Sequence, residues 1–241
     1  PPPLPMTLSL GHLAARTTGL LAATYGVYVA TTWARYGHPR PARLCRAHPD
    51  MPGDLLDRFM PTYEVGERSR LRVAAPPDAT MAVARALDLG RLPVARALFR
   101  TRAWLLGERA VPLTPVRELA TATQAMGWGM LADEPRALVM GTVCHPWEAN
   151  PGFQPVAPAH FAAFDEPGFV RIAWAVGAEP DGEGGSVAWT ETRVATTDAA
   201  ARARFRPYWA VLSPGILLIR WAALRLVRRE AERVARPVPA L

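Results

Sequence analysis

The sequence predicts an α+β fold: a curved antiparallel sheet wrapped around one long C-terminal helix, with a separate hydrophobic helix near the N-terminus. Two strand-like segments, Phe169–Ala178 and Ser186–Thr196, are joined by the turn-rich stretch Pro180-Asp181-Gly182-Glu183-Gly184-Gly185. A helical pattern then runs from about Asp198 to Ala235, roughly three times the mean α-helix length. A helix that long, following a hairpin, needs a broad surface to lie across. A sheet curved around it leaves a hollow lined with apolar side chains, and such hollows bind apolar molecules.

The hydrophobic N-terminal helix is predicted from 18 uncharged residues, Thr17 to Ala34, between Arg16 and Arg35. Their number matches the 17–25 or so of a membrane-spanning helix. Tyr25 and Tyr28 lie within the stretch, and Trp33 and Tyr36 sit where an interfacial aromatic belt would be. Five threonines temper its apolarity, and a cleaved signal peptide or an amphipathic surface helix are competing readings. The arginine-rich sequence that follows argues against export, so the expectation is an uncleaved anchor. Arg16 alone precedes it, whereas Arg35, Arg40, Arg43 and Arg46 follow. The positive-inside rule then places the rest of the chain on the cytoplasmic side of the membrane. The expected organisation is an anchor segment over 1–36, an irregular proline-containing linker over 37–58, a folded domain over 59–236 and a tail over 237–241.

Within the domain, Tyr63–Val73 alternates. Tyr63, Val65, Glu67, Ser69, Leu71 and Val73 share one face; Glu64, Arg68, Arg70 and Arg72 share the other, as in a half-buried strand with arginines outward. Ala75-Pro76-Pro77-Asp78 ends it, and Asp78 is placed to cap a helix over about Ala79–Asp88. A second helix is expected over about Pro93–Leu106, while Ala110–Ala125 is ambiguous. Strands resume at Gly127–Leu131 and Arg136–Val143 around the turn at Glu134-Pro135, and Pro146–Ala159 reads as loop. Asp198 is a good N-cap for the final helix. Pro207 and Pro214 inside it predict a kink or break, and the apolar residues from Ile216 to Val227 nearly encircle it.

Composition narrows the chemistry. All 28 basic residues are arginine, so lysine Schiff bases, phosphate-loop lysines and lysine general bases are excluded. The net charge of +7 is concentrated near the two ends, and no zinc-finger, basic-zipper or RNA-platform motif accompanies it. A membrane-proximal role fits better than nucleic acid. The two cysteines, Cys45 and Cys144, form neither a disulfide framework nor a metal cluster. No metal ligand set and no cofactor motif is expected.

Several segments together resemble the SRPBCC (START-like, Bet v 1-like) superfamily, in an uncharacterised bacterial branch. They are Tyr63-Glu64-Val65 with Arg68, Val73-Ala74-Ala75-Pro76, Phe164-Asp165-Glu166-Pro167-Gly168 and Thr190-Glu191-Thr192-Arg193-Val194, then Arg204-Phe205-Arg206 with Tyr208-Trp209, and Ser213-Pro214-Gly215-Ile216 with Arg220. The resemblance covers roughly Phe59 to Arg236. It implies a helix-grip fold with a ligand cavity between sheet and helix. It does not imply one function, since the superfamily spans lipid carriers, hormone receptors, cyclases and stress proteins.

The expected function is therefore binding of a lipid-like or polycyclic molecule by a membrane-tethered domain. Trp128, Trp174, Trp189, Trp209 and Ile216 are the expected cavity walls, with Glu67, Glu191 and Arg193 as polar anchors. Glu191 and Arg193 share one face of a strand. They serve either as an anchor on the cavity wall or as an ion pair with an arginine of the long helix. Glu67 and Ser69 share the buried face of the first strand. A cyclase- or aromatase-like enzyme would use Glu67 and Glu191 as acid and base, and a non-catalytic membrane-associated module is a third reading. Cys144-His145 resembles half a nucleophilic pair, but strand neighbours point to opposite faces. Arg202 and Arg206, one turn apart, offer a phosphate site set against ordinary salt bridges.

Overall fold

The computed structural model describes residues 23–36, 40–41, 54–88 and 118–236, with residues 19, 90, 92, 93, 95–97, 100 and 107 between them. Most of the expected helix over Pro93–Leu106, Cys45 and part of the 17–34 segment lie outside the described residues.

The described chain is α+β, with a five-stranded antiparallel sheet and a long C-terminal helix. The strands are β3 (Val65–Val73), β4 (Gly129–Glu134), β5 (Ala137–Cys144), β6 (Val170–Pro180) and β7 (Ser186–Thr196), in the order β3-β7-β6-β5-β4. A two-residue ladder joins β1 (Arg40–Pro41) to β2 (Thr62–Tyr63). The helices are α1 (residues 23–35), α2 (Asp54–Asp57), α3 (Pro77–Arg85), α4 (Leu119–Ala125), α5 (Pro158–Phe161) and α6 (Ala199–Val234). The arrangement is consistent with a helix-grip. In α3 the prolines matter more than Asp78. Pro77 opens the helix in its first turn, where no N–H is needed, and Asp78 follows inside that turn.

Register divides the sheet into two faces. Val194 pairs with Val65 on one side and Ile172 on the other, and Thr192 pairs with Glu67 and Trp174. This first face carries Ile172, Trp174, Val176, Thr190, Thr192 and Val194 and is covered by α3, α4 and α6. Its main cluster joins Met81, Leu119, Leu138, Met140 and Val227. The second face carries Ala173, Ala175, Trp189, Glu191 and Arg193. It is buried as well, against Leu56, Phe59, Met60, Tyr63, Leu131 and Phe161. The close fit requires glycines in the strands: a Cβ on Gly177 would come within 2.5 Å of the Trp189 ring, and one on Gly141 within 2.8 Å of Phe161.

Two expectations change here. The first strand does not alternate cleanly from Tyr63. It is interrupted at Glu64, and Tyr63 turns its ring to the second face, over Gly66. The linker also ends earlier than residue 58, because α2 packs into the core through Leu56, only 2% exposed.

Helix α6 runs through Pro207 and Pro214 without a break, so of the expected kink or break the break does not occur. Its buried residues, among them Ala201, Phe205, Trp209, Ser213, Arg220, Leu224, Val227 and Ala231, recur at three-, four- and seven-residue steps. Most of them form a stripe that faces the sheet, while Ser213 meets the N-terminal helix α1. That burial supports the helical path where the prolines remove hydrogen bonds. Among the described residues, α6 is the one helix long and apolar enough to cross a membrane. The long apolar helix is therefore C-terminal, not the N-terminal one expected, and its inner stripe is already occupied by the sheet. Helix α1 packs against α6 as well: the Tyr28 hydroxyl is 2.9 Å from Ser213 Oγ, and Tyr36 packs edge-on against Trp209.

Asp198 starts α6. Its Oδ1 accepts from the Ala201 N–H at 2.6 Å, and its Oδ2 accepts from the Gly168 N–H at 2.6 Å. These backbone donors, led by Ala201, hold its carboxyl below the usual aspartate range. A depressed folded pKa gives stability above the unfolded value of about 3.9 that is lost as pH falls through the folded value. Asp198→Ala is thus expected to lower the thermal midpoint at pH 7, with the gap to wild type closing below about pH 4. Melts across that range test it; a gap that does not change with pH would contradict the capping role.

Candidate functional site

Between the first face of the sheet and α6 lies a cavity of about 330 Å³, within the range of small-molecule sites, about 300–1,000 Å³. Ile172, Trp174, Val176 and Val194 form its floor. Phe205, Trp209, Leu212, Ile216, Ile219 and Ala223 of α6 form its roof, and Leu119, Met126, Trp128 and Phe153 close its side. Aromatic rings define the walls: Trp128 lies 6.4 Å from Trp174 and 5.7 Å from Phe153, and Phe205 stacks on Trp209 at 5.8 Å.

Arg220 is the charged residue among the described walls. Its Nη2 donates to the carbonyls of Glu67 at 2.6 Å and Thr190 at 2.7 Å, so the guanidinium lies across β3 and β7. Burial lowers its pKa to about 10, against the opposing fields of Glu67 and Glu191. It remains cationic at neutral pH. Burial likewise raises the Glu67 carboxyl, while Arg35 and Arg220 pull it down.

Of the residues the sequence singled out, Trp128, Trp174, Trp209 and Ile216 line this cavity. Trp189, Glu191 and Arg193 do not. They stand on the second face, since Thr190, Thr192 and Val194 take the cavity positions of β7. Glu67 shares the cavity face but sits on edge strand β3, and its side chain is not part of the wall. Glu67 and Glu191 therefore occupy opposite faces, and the geometry does not bring them together as acid and base.

Glu191 and Arg193 instead form a buried network. Arg193 Nε donates to Glu191 Oε1 at 2.7 Å, and its Nη1 donates to Asp57 Oδ1 at 2.6 Å and to the Met60 carbonyl at 3.0 Å. Arg68 reaches Glu191 Oε2 at 3.2 Å, and Arg193 lies over the Tyr63 ring at 4.7 Å. Desolvation would lower the Arg193 pKa, but Glu191 and Asp57 outweigh it and hold the residue charged. The partners come from α2 and β3, not from the long helix as expected.

The remaining candidates take structural places. Cys144 is fully buried, and the His145 ring packs at a tilt against Phe169, 4.3 Å between centroids. Arg202 pairs with Glu64 at 3.1 Å, and Arg206 donates to the Trp33 carbonyl at 2.9 Å and lies over the Trp33 ring. The residue missed in advance is Arg220. Its signal was present: it is the lone charge in the apolar run 207–224.

The fold and site define an α+β protein in which sheet and C-terminal helix enclose an apolar, aromatic-walled cavity with one buried cation. Comparison with protein-family models, with curated proteins and with solved structures finds no match.

Proposed function

We propose that this chain binds an apolar small molecule, lipid-like or polycyclic, in the cavity between its sheet and α6, as a helix-grip protein of the SRPBCC type. The cavity itself carries the reading. Its walls are almost wholly apolar, so water inside would find few of the partners a buried water needs. An apolar guest gains by leaving water, at roughly 25 cal/mol per Å² buried. Membrane tethering through residues 17–34, with the domain on the cytoplasmic side, belongs to the same reading. Its support is the apolar side chains that α1 and α6 expose: Val27 and Trp33 on one, Val211, Leu218 and Trp221 on the other.

The test is native mass spectrometry of the full chain purified from cells, followed by solvent extraction. A stoichiometric apolar molecule is expected. Ala223→Phe, which places a ring in the cavity from the roof, should reduce occupancy at least tenfold with little change in unfolding midpoint. A wild-type protein that carries nothing and takes up no added apolar probe would overturn the proposal.

A further inference from the structure

We propose that the ligand is amphipathic, with a single anionic oxygen head, carboxylate or phosphate, that pairs with Arg220 while its apolar part lies along the aromatic wall. This rests on the cavity-binding reading above. Arg220 is 8% exposed. A guanidinium carries five N–H donors, and the two on Nη2 are taken by the Glu67 and Thr190 carbonyls. Its Nε and Nη1 are buried and have no hydrogen-bond partner among the described residues, which leaves three donors unmet in a low-dielectric space. Buried charged donors are costly to leave unpaired, and guanidinium matches the oxygens of carboxylate and phosphate.

The surroundings leave that role open. The carboxylates whose fields act on Arg220 are Glu67 and Glu191, but Arg220 is in none of the ion pairs among the described residues, and Glu191 is engaged by Arg193 and Arg68 on the other face. The two strand carbonyls hold Nη2 in place, and a small shift of the side chain brings the covered Nε and Nη1 to a head group at the wall. Apolar roof continues on both sides, through Ile216 and Leu212 towards Phe205 and through Ala223 towards Val227. A head at Arg220 therefore has apolar wall beside it in either direction.

The experiment compares dodecanoate, dodecyl phosphate and dodecan-1-ol binding to the delipidated full chain by calorimetric titration. At least one of the two anions is expected to bind tenfold or more tighter than the alcohol, and the better of them identifies the head group. Arg220→Gln should erase that preference while retaining alcohol binding. Arg229→Gln, at an exposed position on the same helix, should keep it, which separates a cavity contact from general surface charge. Equal binding of anions and alcohol by the wild type, or no binding of any of the three, would overturn this inference; the proposed function falls only if the purified protein also carries no apolar molecule and takes up no apolar probe. The wild-type comparison decides even if Arg220→Gln does not fold.

Discussion

Arg193→Met is expected to lower the free energy of unfolding by about 3–5 kcal/mol, the loss typical of breaking a buried ion pair from one side. The Arg193 side chain is 3% exposed and that of Glu191 is 8% exposed. Without Arg193, Glu191 keeps only the Arg68 contact, and the Met60 carbonyl loses its donor. Replacing both partners, in Arg193→Met with Glu191→Leu, should cost less than the sum of the single changes, because no orphaned carboxylate remains. The two sites should couple by about 0.5–3 kcal/mol in a double-mutant cycle. Urea unfolding of the four proteins measures this, and strict additivity would show that the network is not energetically joined. Ligand binding by the folded fraction should not change, since the network and the cavity lie on opposite faces of the sheet.

Phe161→Ala is the second large effect, about 3–5 kcal/mol by the usual cost of emptying a buried phenylalanine site. Phe161 is fully buried and reaches Gly141 on β5, where there is no side chain to fill the space it would leave. Strand β5 is paired on both sides, with β4 and β6, so collapse into the void is resisted. The denaturant midpoint should fall with the slope nearly unchanged. A loss below about 1 kcal/mol would mean that α5 packs on the sheet less tightly than its burial shows. The amphipathic guest should again bind the folded fraction as before.

The sheet and the long helix were legible in the sequence, because they rest on periodicity. Ser186–Thr196 has the same bounds in the structure as in the sequence reading, and Asp198 caps α6 as expected. The faces of β7 were less legible. Both faces are buried, so alternation does not say which one meets the helix, and Trp189 is the largest side chain on the strand. It belongs to the second face, where Gly177 makes room for its ring. Nor could the fate of Arg193 be read locally: its Asp57 partner lies 136 residues away in sequence. Arg220 was hidden for a different reason. The sequence shows that it interrupts an apolar run, but the carbonyls that fix it come from two strands brought together by folding. The four singled-out residues that line the cavity, Trp128, Trp174, Trp209 and Ile216, are aromatic or large aliphatic, the types that apolar hollows recruit most.

The two buried faces of the sheet give the molecule a division of labour. One side carries the ion network and the glycine-seated rings, while the other packs α3 and α6 around the chamber. On that other side the residues that border the void are the ones open to variation, since reshaping them disturbs fewer contacts than changes in the packed clusters. Replacements at Leu212, Ile216, Ile219 or Ala223 would alter what the chamber admits while the scaffold behind it stays intact. New guest specificities should therefore be obtainable by diversifying the roof of α6 alone, with the back of the sheet kept constant as the foundation.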